Sequence, residues 1–302
     1  MVHNQGLINL PRAPLEGSVV RCYHYMATHF EEVLKNSQLK LSAAIEFNDV
    51  FDCMGTCIGL PTSDVIYRHI RDNTNISKET AQMMCSNLIF CRKYIKGIEV
   101  ELRGRSMFNV PNILCFSRPK NVYEDSLMWS HYGGKWGGVR LGFDLLYENH
   151  IPIVYKTTSP YAIVPVIYAE RQPILDWSKV KDLDSDSSYA CFYFSMVNTK
   201  SKAWRYENEW RLFCDETHSS KRGDMRFWDF NKVLLRTIDL GPTIDNEAQK
   251  RVIELTSALY PHAEVRKVVV SDADYAFIYQ SILKPTIMEN AMTAYGFTGG
   301  AQ

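Results

Sequence analysis

The sequence lacks long apolar runs and an excess of charge of either sign. None of its 302 residues belongs to a stretch approaching the roughly 20 apolar residues that span a bilayer, and Met1 to Leu15 lacks the apolar core of a secretory signal peptide. The formal net charge is zero, which removes the global electrostatic argument for binding nucleic acid and leaves only local basic patches. We therefore expect a cytoplasmic protein with no membrane partner.

Several motifs with defined chemistry are also missing. The sequence contains no P-loop, no G-x-G-x-x-G, no H-E-x-x-H and no paired C-x-x-C, which argues against nucleotide sites of the first two types and against a zinc site. Ser130-His131 is not preceded by a G-x-S-x-G turn, which disfavours a serine nucleophile. The eight cysteines are scattered through the chain, as is typical of a reduced compartment. We expect no metal.

What is present is the composition of an ordinary globular protein, at 46% hydrophobic and 23% charged. Short strands and helices alternate without an internal repeat, which predicts an α+β fold. We expect a single domain over 1–302, with a helical insertion at about 63–104. The predicted strands are Val19–Tyr25, Leu39–Ser42, Asn112–Ser117, Val139–Asp144, Val164–Tyr168, Val233–Leu240 and Val265–Val270. The predicted helices are Thr28–Asn36 with Thr28 as N-cap, Ser63–Asp72, Ser77–Gly97, Ser126–Tyr132, Ser187–Lys200, Asp245–Tyr260 and Ala273–Leu283.

The stretch Trp204–Phe213 is the most informative part of the chain. Read as a strand, it places Glu207, Glu209 and Arg211 on one face. The other face then carries Tyr206, Asn208, Trp210 and Leu212. Carboxylates beside buried aromatics are costly unless they are paired, bound to a ligand or used in chemistry. The residues alone leave two interpretations open, a structural ion-pair ladder and a ligand site.

Three further segments carry polar groups beside aromatic residues. His24 lies between two tyrosines in the first predicted strand. The turn around Asn48 is anchored by Phe47 and Phe51. Trp129 and Tyr132 precede two glycine pairs, an arrangement that could form a wall for a planar ligand. Each segment is also compatible with an ordinary structural role, which is the more common one for a lone strand histidine and for a turn of this kind.

Taken together, these segments resemble a bacterial family, the domain-of-unknown-function family DUF2971. The matching pieces extend from Tyr23-His24-Tyr25 to Glu207-x-Glu209-Trp210-Arg211. Between them lie Phe47-Asn48-Asp49, Phe51-Asp52-Cys53, Trp129-Ser130-His131-Tyr132, Gly138 and Gly142-Phe143-Asp144.

A second resemblance concerns the opening of the chain. A Tyr-His strand, a helix ending near Asn36 and a short strand ending at Ser42 look like the start of ADP-ribosyltransferases, including toxins that modify DNA. That resemblance implies a split β-sheet core with inserted helices and NAD as the substrate. The resemblance implies that Glu209 is the catalytic residue and that Glu207 assists it in catalysis. The implied NAD-binding residues are His24, Tyr25, Ser42, Asn48, Trp129, Tyr132 and Arg211.

The resemblance also implies partners. The expected acceptor of ADP-ribose is nucleic acid, RNA or DNA, with protein as the second choice, and the basic cluster of Lys200, Lys202 and Arg205 would guide phosphates. A role as a toxin in bacterial or phage-defence conflict, with an antitoxin partner, follows by analogy. Two alternatives stay open. One is a nucleotide- or partner-binding module without chemistry, and the other is a metal-dependent nuclease that uses Glu207, Glu209 and His131.

Overall fold

The computed structural model describes residues 18–104, 113–147, 161–183, 187–214 and 219–287. Within these ranges, helices pack on a mixed β-sheet, so the predicted α+β class is confirmed. None of the described helices combines the length and the apolarity that crossing a membrane requires.

The strands are β1 Ser18–Met26, β2 Gln38–Leu41, β3 Thr56–Ile58, β4 Ile113–Ser117, β5 Val139–Tyr147, β6 Tyr161–Pro165, β7 Ile167–Ala169, β8 Ile174–Asp176, β9 Thr199–Ser201, β10 Glu209–Cys214, β11 Ser219–Arg222, β12 Met225–Asp229, β13 Leu235–Leu240, β14 Glu264–Val270 and β15 Phe277–Leu283. The α-helices are α1 Phe30–Asn36, α2 Ser63–Asn73, α3 Lys78–Cys85, α4 Leu88–Gly104, α5 Val122–His131, α6 Ser187–Asn198 and α7 Asn246–Leu259. Short 3-10 helices span Ala44–Glu46, Trp177–Lys179, Lys202–Glu207 and Lys232–Leu234.

An eight-stranded sheet organises the molecule, in the order β15-β14-β13-β5-β1-β4-β10-β6. Its neighbours pair antiparallel except β13 with β14. Strand β4 lies between β1 and β10, and Ser117 is opposite Tyr23 on one side and opposite Glu209 on the other. Two strands that are almost two hundred residues apart in the chain are therefore brought level across a single intervening strand.

Both faces of this sheet are covered near β10. On one face, Leu212 joins the main core, which includes residues of α1, α7, β2 and β12. On the other face, Phe213 joins a second core that the helices α2, α3, α4 and α6 help to build. Adjacent residues of a strand point to opposite faces, so all six residues of β10 are buried. This explains why the segment reads as a continuous apolar run interrupted by charges.

The prediction for the opening half of Trp204–Phe213 was wrong. Residues 202–207 form a 3-10 helix that ends at Asn208, whose φ of 43° is left-handed. Asparagine tolerates that conformation better than most residues. Strand β10 therefore starts at Glu209, and Glu207 lies outside the strand. The alternation holds only from Glu209 onward, where Glu209 and Arg211 share a face.

Three other predictions were also wrong. The predicted helix Ala273–Leu283 is instead the edge strand β15, in which Phe277 and Tyr279 turn inward at a period of two. The predicted helix Ser77–Gly97 is two helices, because the Asn87 side chain accepts hydrogen bonds from the backbone N–H groups that begin α4. Helix α1 begins after His29, so Thr28 is not its cap.

Candidate functional site

A cavity of about 290 Å³ opens beside β1, β4 and the start of β10. It collects most of the residues that the resemblance singled out. Seven of these nine residues line it: His24, Tyr25, Ser42, Asn48, Tyr132, Glu207 and Glu209. They come from five separate segments of the chain, so the tertiary structure brings together what the sequence keeps apart.

His24 is held in place by the neighbouring strand. Its Nδ1 lies 2.9 Å from the Cys115 carbonyl oxygen in β4, so Nδ1 carries the hydrogen and donates it. Burial lowers the pKa of His24, and the bond to Cys115 opposes this only in part. The ring is therefore neutral near pH 7, and Nε2 is an acceptor suited to a ligand hydroxyl group.

Glu209 is an ionised carboxylate clamped by two cations. Its Oε1 accepts a hydrogen bond from Arg211 Nε at 2.7 Å and its Oε2 one from Lys200 Nζ at 3.0 Å. Burial by itself would raise the pKa of Glu209, but the charges of Arg211 and Lys200 outweigh burial and lower it to about 2. The Cys115 thiol also donates a hydrogen bond to Glu209. A carboxylate has about four acceptor sites, so these three bonds still leave capacity for a ligand hydroxyl.

Arg211 lies beneath the cavity wall and holds Glu209 in place. It is fully buried and does not line the cavity. Its Nη2 donates to both carboxylate oxygens of Asp52, at 2.9 and 2.7 Å, and its Nη1 donates to the Val197 carbonyl. The guanidinium also lies over the Phe47 ring. Arg211 therefore positions Glu209, and the structure does not place it where it could touch a ligand in the cavity.

Lys200 is the cation that sequence reasoning misplaced. It lies on β9 and is almost completely buried, with Nζ 2.6 Å from Glu207 Oε2 and 3.7 Å from Asp52 Oδ2. Burial alone would lower the pKa of Lys200, but Glu209 and Glu207 raise it. Its charge is paired with buried carboxylates, so Lys200 does not lie on the exposed surface along which a strand of phosphates would be guided. Lys202 is likewise bonded to Glu170.

Glu207 differs from Glu209 in its surroundings. Its Oε1 accepts a hydrogen bond from the Tyr132 hydroxyl at 2.5 Å, and that hydroxyl accepts one from Asn48 Nδ2 at 3.2 Å. Burial and the negative charge of Glu209 raise the pKa of Glu207. The two glutamates therefore have separated proton affinities, which is the pattern of paired carboxylates with different roles.

Asp52, Glu207 and Glu209 together carry one more charge than Lys200 and Arg211 balance. Charges buried this deeply are strongly coupled. An unbalanced negative charge on the cavity wall favours a ligand, or a reaction step, in which positive charge develops. Asp52 and Lys200 were not predicted as site residues. The only signal for Asp52 was its place in the matching piece Phe51-Asp52-Cys53.

Trp129 is not on the cavity. Its side chain is completely buried and packs edge-on against Tyr25. Tyr25 lines the cavity, and its hydroxyl bonds to Asp125 in a second buried network around Arg140. Of the two aromatic residues proposed to stack on a ligand, only Tyr132 is therefore placed to do so.

The residues of the nuclease hypothesis are not gathered into a metal centre. His131 is exposed and does not line the cavity. Between Glu207 and Glu209 lies the ammonium group of Lys200. Among the described residues, no group of three histidine, cysteine, aspartate or glutamate side chains is arranged to hold a metal ion.

Comparison with known proteins gives one result for this chain. Residues 128–212 match the model of a family described as protein of unknown function (DUF2971). The segment begins at Met128 in α5 and ends at Leu212 in β10, so it includes Tyr132, Lys200 and both glutamates. The identification of DUF2971 is thereby confirmed over this segment. No curated protein and no solved structure gives a significant match.

Proposed function

We propose that the chain is a NAD-dependent mono-ADP-ribosyltransferase with its active site in this cavity. The observation that carries the proposal is the meeting of His24 and Glu209 at one cavity, on strands that flank β4. These are the residues to which the resemblance assigns ribose binding and catalysis. The eight-stranded sheet would then be the counterpart of the split sheet of that enzyme class.

The size and lining of the cavity suit part of a dinucleotide. At about 290 Å³, it is near the lower limit of ligand sites, so it would take the nicotinamide riboside portion and leave the remainder outside. Tyr132 or Tyr25 would contact the planar ring. Nε2 of His24 and the Ser42 segment would contact the sugar.

The proposed transfer divides the work between the two glutamates. The bond between ribose C1′ and the nicotinamide nitrogen breaks, and its electron pair stays on nicotinamide. Ionised Glu209 accepts a hydrogen bond from a ribose hydroxyl and stabilises the positive charge at C1′. The nucleophilic atom of the acceptor bonds to C1′, and its proton passes to the carboxylate of Glu207.

The biological context is proposed by analogy. A toxin or effector in bacterial or phage-defence conflict would modify nucleic acid, or alternatively protein, and an antitoxin would restrain it. Growth arrest on expression of the wild type, relieved by Glu209→Gln, is the expected phenotype. Equal growth of cells expressing the wild type and cells expressing Glu209→Gln would argue against a toxin.

The activity test is release of nicotinamide from NAD, measured with and without cellular RNA, DNA or protein. Wild type is expected to release nicotinamide in the presence of EDTA, whereas Glu209→Gln is expected to lose at least 100-fold in rate, within the range for removal of one electrostatic stabiliser. Glu247→Gln is the matched control, because Glu247 is an exposed residue of α7. No release by wild type with any acceptor would refute the proposal.

Because Glu209 is buried in an ion cluster, its variant needs a check of folding. Circular dichroism and thermal unfolding provide that check, and Glu207→Gln serves as a second variant. His24→Ala is expected to weaken NAD binding in a calorimetric titration. An unchanged titration curve would make His24 a structural residue.

One observation favours a second function. Both oxygens of Glu209 already accept hydrogen bonds from fixed cations, as in a rigid recognition site. A nucleotide-binding module without turnover would show thermal stabilisation by NAD and no release of nicotinamide, which separates it from the transferase.

A further inference from the structure

A row of four rings starts at Tyr132 on the cavity wall, and we name it the aromatic rim. It consists of Tyr132, His131, Tyr206 and Trp204. Neighbouring ring centroids are 6.2, 5.9 and 6.0 Å apart, and the planes are tilted by about 40° in each pair. The first two rings lie at the C-terminal end of α5, where His131 is the last helical residue and Tyr132 follows it. The 3-10 helix Lys202–Glu207 supplies the last two, so residues about 70 apart in sequence form one continuous row.

Packing alone does not account for the whole rim. Tyr132 and Tyr206 lean on the small core around Trp129. Among the described residues, Trp204 belongs to none of the three hydrophobic cores. His131 is exposed and Trp204 is partly exposed. Large rings that remain accessible in a row provide successive flat apolar faces for a ligand.

The rim is continuous with the acidic site at both ends. Tyr132 donates its hydroxyl hydrogen to Glu207. At the far end, the Lys200 ammonium lies 5.0 Å from the centroid of Trp204, and the same ammonium contacts Glu207. A molecule lying on the rim would therefore present its nearest group to Glu207, which is the proposed proton acceptor.

From this arrangement we infer that the aromatic rim binds unpaired bases of a single-stranded nucleic acid, which is the acceptor of the transfer. Each ring can stack with a base whatever its sequence, and a row of rings suits consecutive bases better than one isolated ring does. Arg205 is exposed on the same 3-10 helix and can contact phosphate. Paired bases are inaccessible to such a surface, so duplex should bind weakly. That the bound strand receives ADP-ribose rests on the proposed function, whereas binding of the strand can be tested without it.

The test is fluorescence anisotropy with end-labelled 12-nucleotide single strands of mixed sequence, as RNA and as DNA, at low and moderate salt. Wild type is expected to bind single strands at least tenfold more tightly than the matching duplex. Trp204→Leu and His131→Ala are each expected to weaken binding about tenfold, in line with the loss of one stacked base. Tyr275→Leu is the control, because Tyr275 is fully exposed on the turn between β14 and β15 and should bind as wild type does.

Other outcomes overturn the inference in identifiable ways. Equal affinity for single strand and duplex would indicate binding through phosphates alone, and unchanged affinity in both rim variants would place the strand elsewhere. Displacement of the strand by ADP-ribose would assign the rim to the adenine of the dinucleotide. Modification of protein but not of nucleic acid would make the rim a peptide surface. Strand binding without nicotinamide release would refute the proposed enzyme activity but not nucleic-acid binding by the aromatic rim. Nicotinamide release without strand binding would support the enzyme activity and refute nucleic-acid binding by the rim.

Discussion

At the scale of single residues, the site depends on two buried cations that hold three carboxylates. Arg211 bridges Asp52 and Glu209, and Lys200 contacts Glu207 and Glu209. A buried pair adds little by itself, but removal of one partner leaves an uncompensated charge in a medium of low polarity. The cluster therefore depends on the contacts between its opposite charges.

Arg211→Met should reveal this balance. The methionine fills much of the volume but leaves Asp52 and Glu209 without their shared partner, so the free energy of unfolding should fall by about 3–5 kcal/mol. Arg205→Met changes an exposed residue four positions before the start of β10 and should change the free energy of unfolding by no more than about 0.5 kcal/mol. Urea denaturation measures both, and equal effects would mean that Arg211 has no special role.

Tyr132→Phe tests the hydrogen bond to Glu207. The Tyr132 hydroxyl stabilises the ionised form of Glu207, so its removal should raise the pKa of Glu207 further. If Glu207 accepts the acceptor's proton, the acidic limb of the kcat/KM profile should move to higher pH. Tyr123→Phe, an exposed residue of α5, should leave the limb in place, and a profile unaffected by Tyr132→Phe would exclude Glu207 as the base.

At the scale of elements, the entry into β5 depends on the close approach of two backbone segments. A Cβ at Gly138 would lie 1.9 Å from the Met26 carbonyl oxygen, whereas a Cβ at Gly137 would meet nothing nearer than 3.5 Å. Gly138 also closes the loop by backbone hydrogen bonds to Gly133 and Gly241. The sequence shows two glycines side by side, but only one of them is required sterically.

Gly138→Ala should therefore destabilise the protein by about 3 kcal/mol or more, since backbone has to move to make room. Gly137→Ala should change the free energy of unfolding by less than about 1 kcal/mol. Thermal denaturation of the two variants provides the comparison. Similar melting temperatures would show that the β1–β5 junction adapts more easily than its geometry indicates.

At the scale of the whole molecule, the lowered pKa of Glu209 links folding to pH. Its folded-state pKa of about 2 lies below the usual value of 4.5, so the unfolded chain binds more protons between these values. The stabilisation by Glu209 is complete above pH 4.5 and is lost as the pH falls toward 2. Glu207 acts in the opposite sense, because its pKa in the folded state is raised above 4.5. Its contribution to stability is therefore lost as the pH rises from 4.5 through the folded-state pKa.

The difference in unfolding free energy between wild type and Glu209→Gln should accordingly be largest near pH 6 and should shrink between pH 4.5 and pH 3. Denaturant unfolding at several pH values measures it. Glu247→Gln removes an exposed carboxylate and should give a small difference that hardly varies with pH. A difference for Glu209→Gln that stayed constant down to pH 3 would contradict the proposed charge state.

Much of the fold could be predicted because local patterns agree with it. The strands β1, β4, β5 and β14 and the helices α2 and α7 follow apolar periodicity and punctuation that are visible in the chain. The errors fall where a tertiary partner decides, as at Phe277–Leu283, where pairing with β14 makes an edge strand of a segment that resembles a helix. Asn87 and Asn208 also show how one residue can start or end an element.

The residues that form the site could be predicted better than the contacts between them. His24, Glu207 and Glu209 could be singled out from the sequence, because charged or titratable groups among aromatics are unusual. Lys200 could not be assigned correctly, since nothing local distinguishes a buried lysine from one on the surface. Its partners are fixed by β9, which pairs with β7 far from it in the chain.

The sequence by itself determined the α+β class, most strands of the eight-stranded sheet and the residues with chemical potential, because these depend on periodicity and on residue type within short segments. Only the tertiary structure decided which of these residues share a cavity, because β4 must first bring β1 and β10 level. It also decided the charge states, because burial and the distances to Lys200 and Arg211 separate the pKa values of Glu207 and Glu209. Two similar glutamates in one short motif thus acquire different properties from their three-dimensional neighbours.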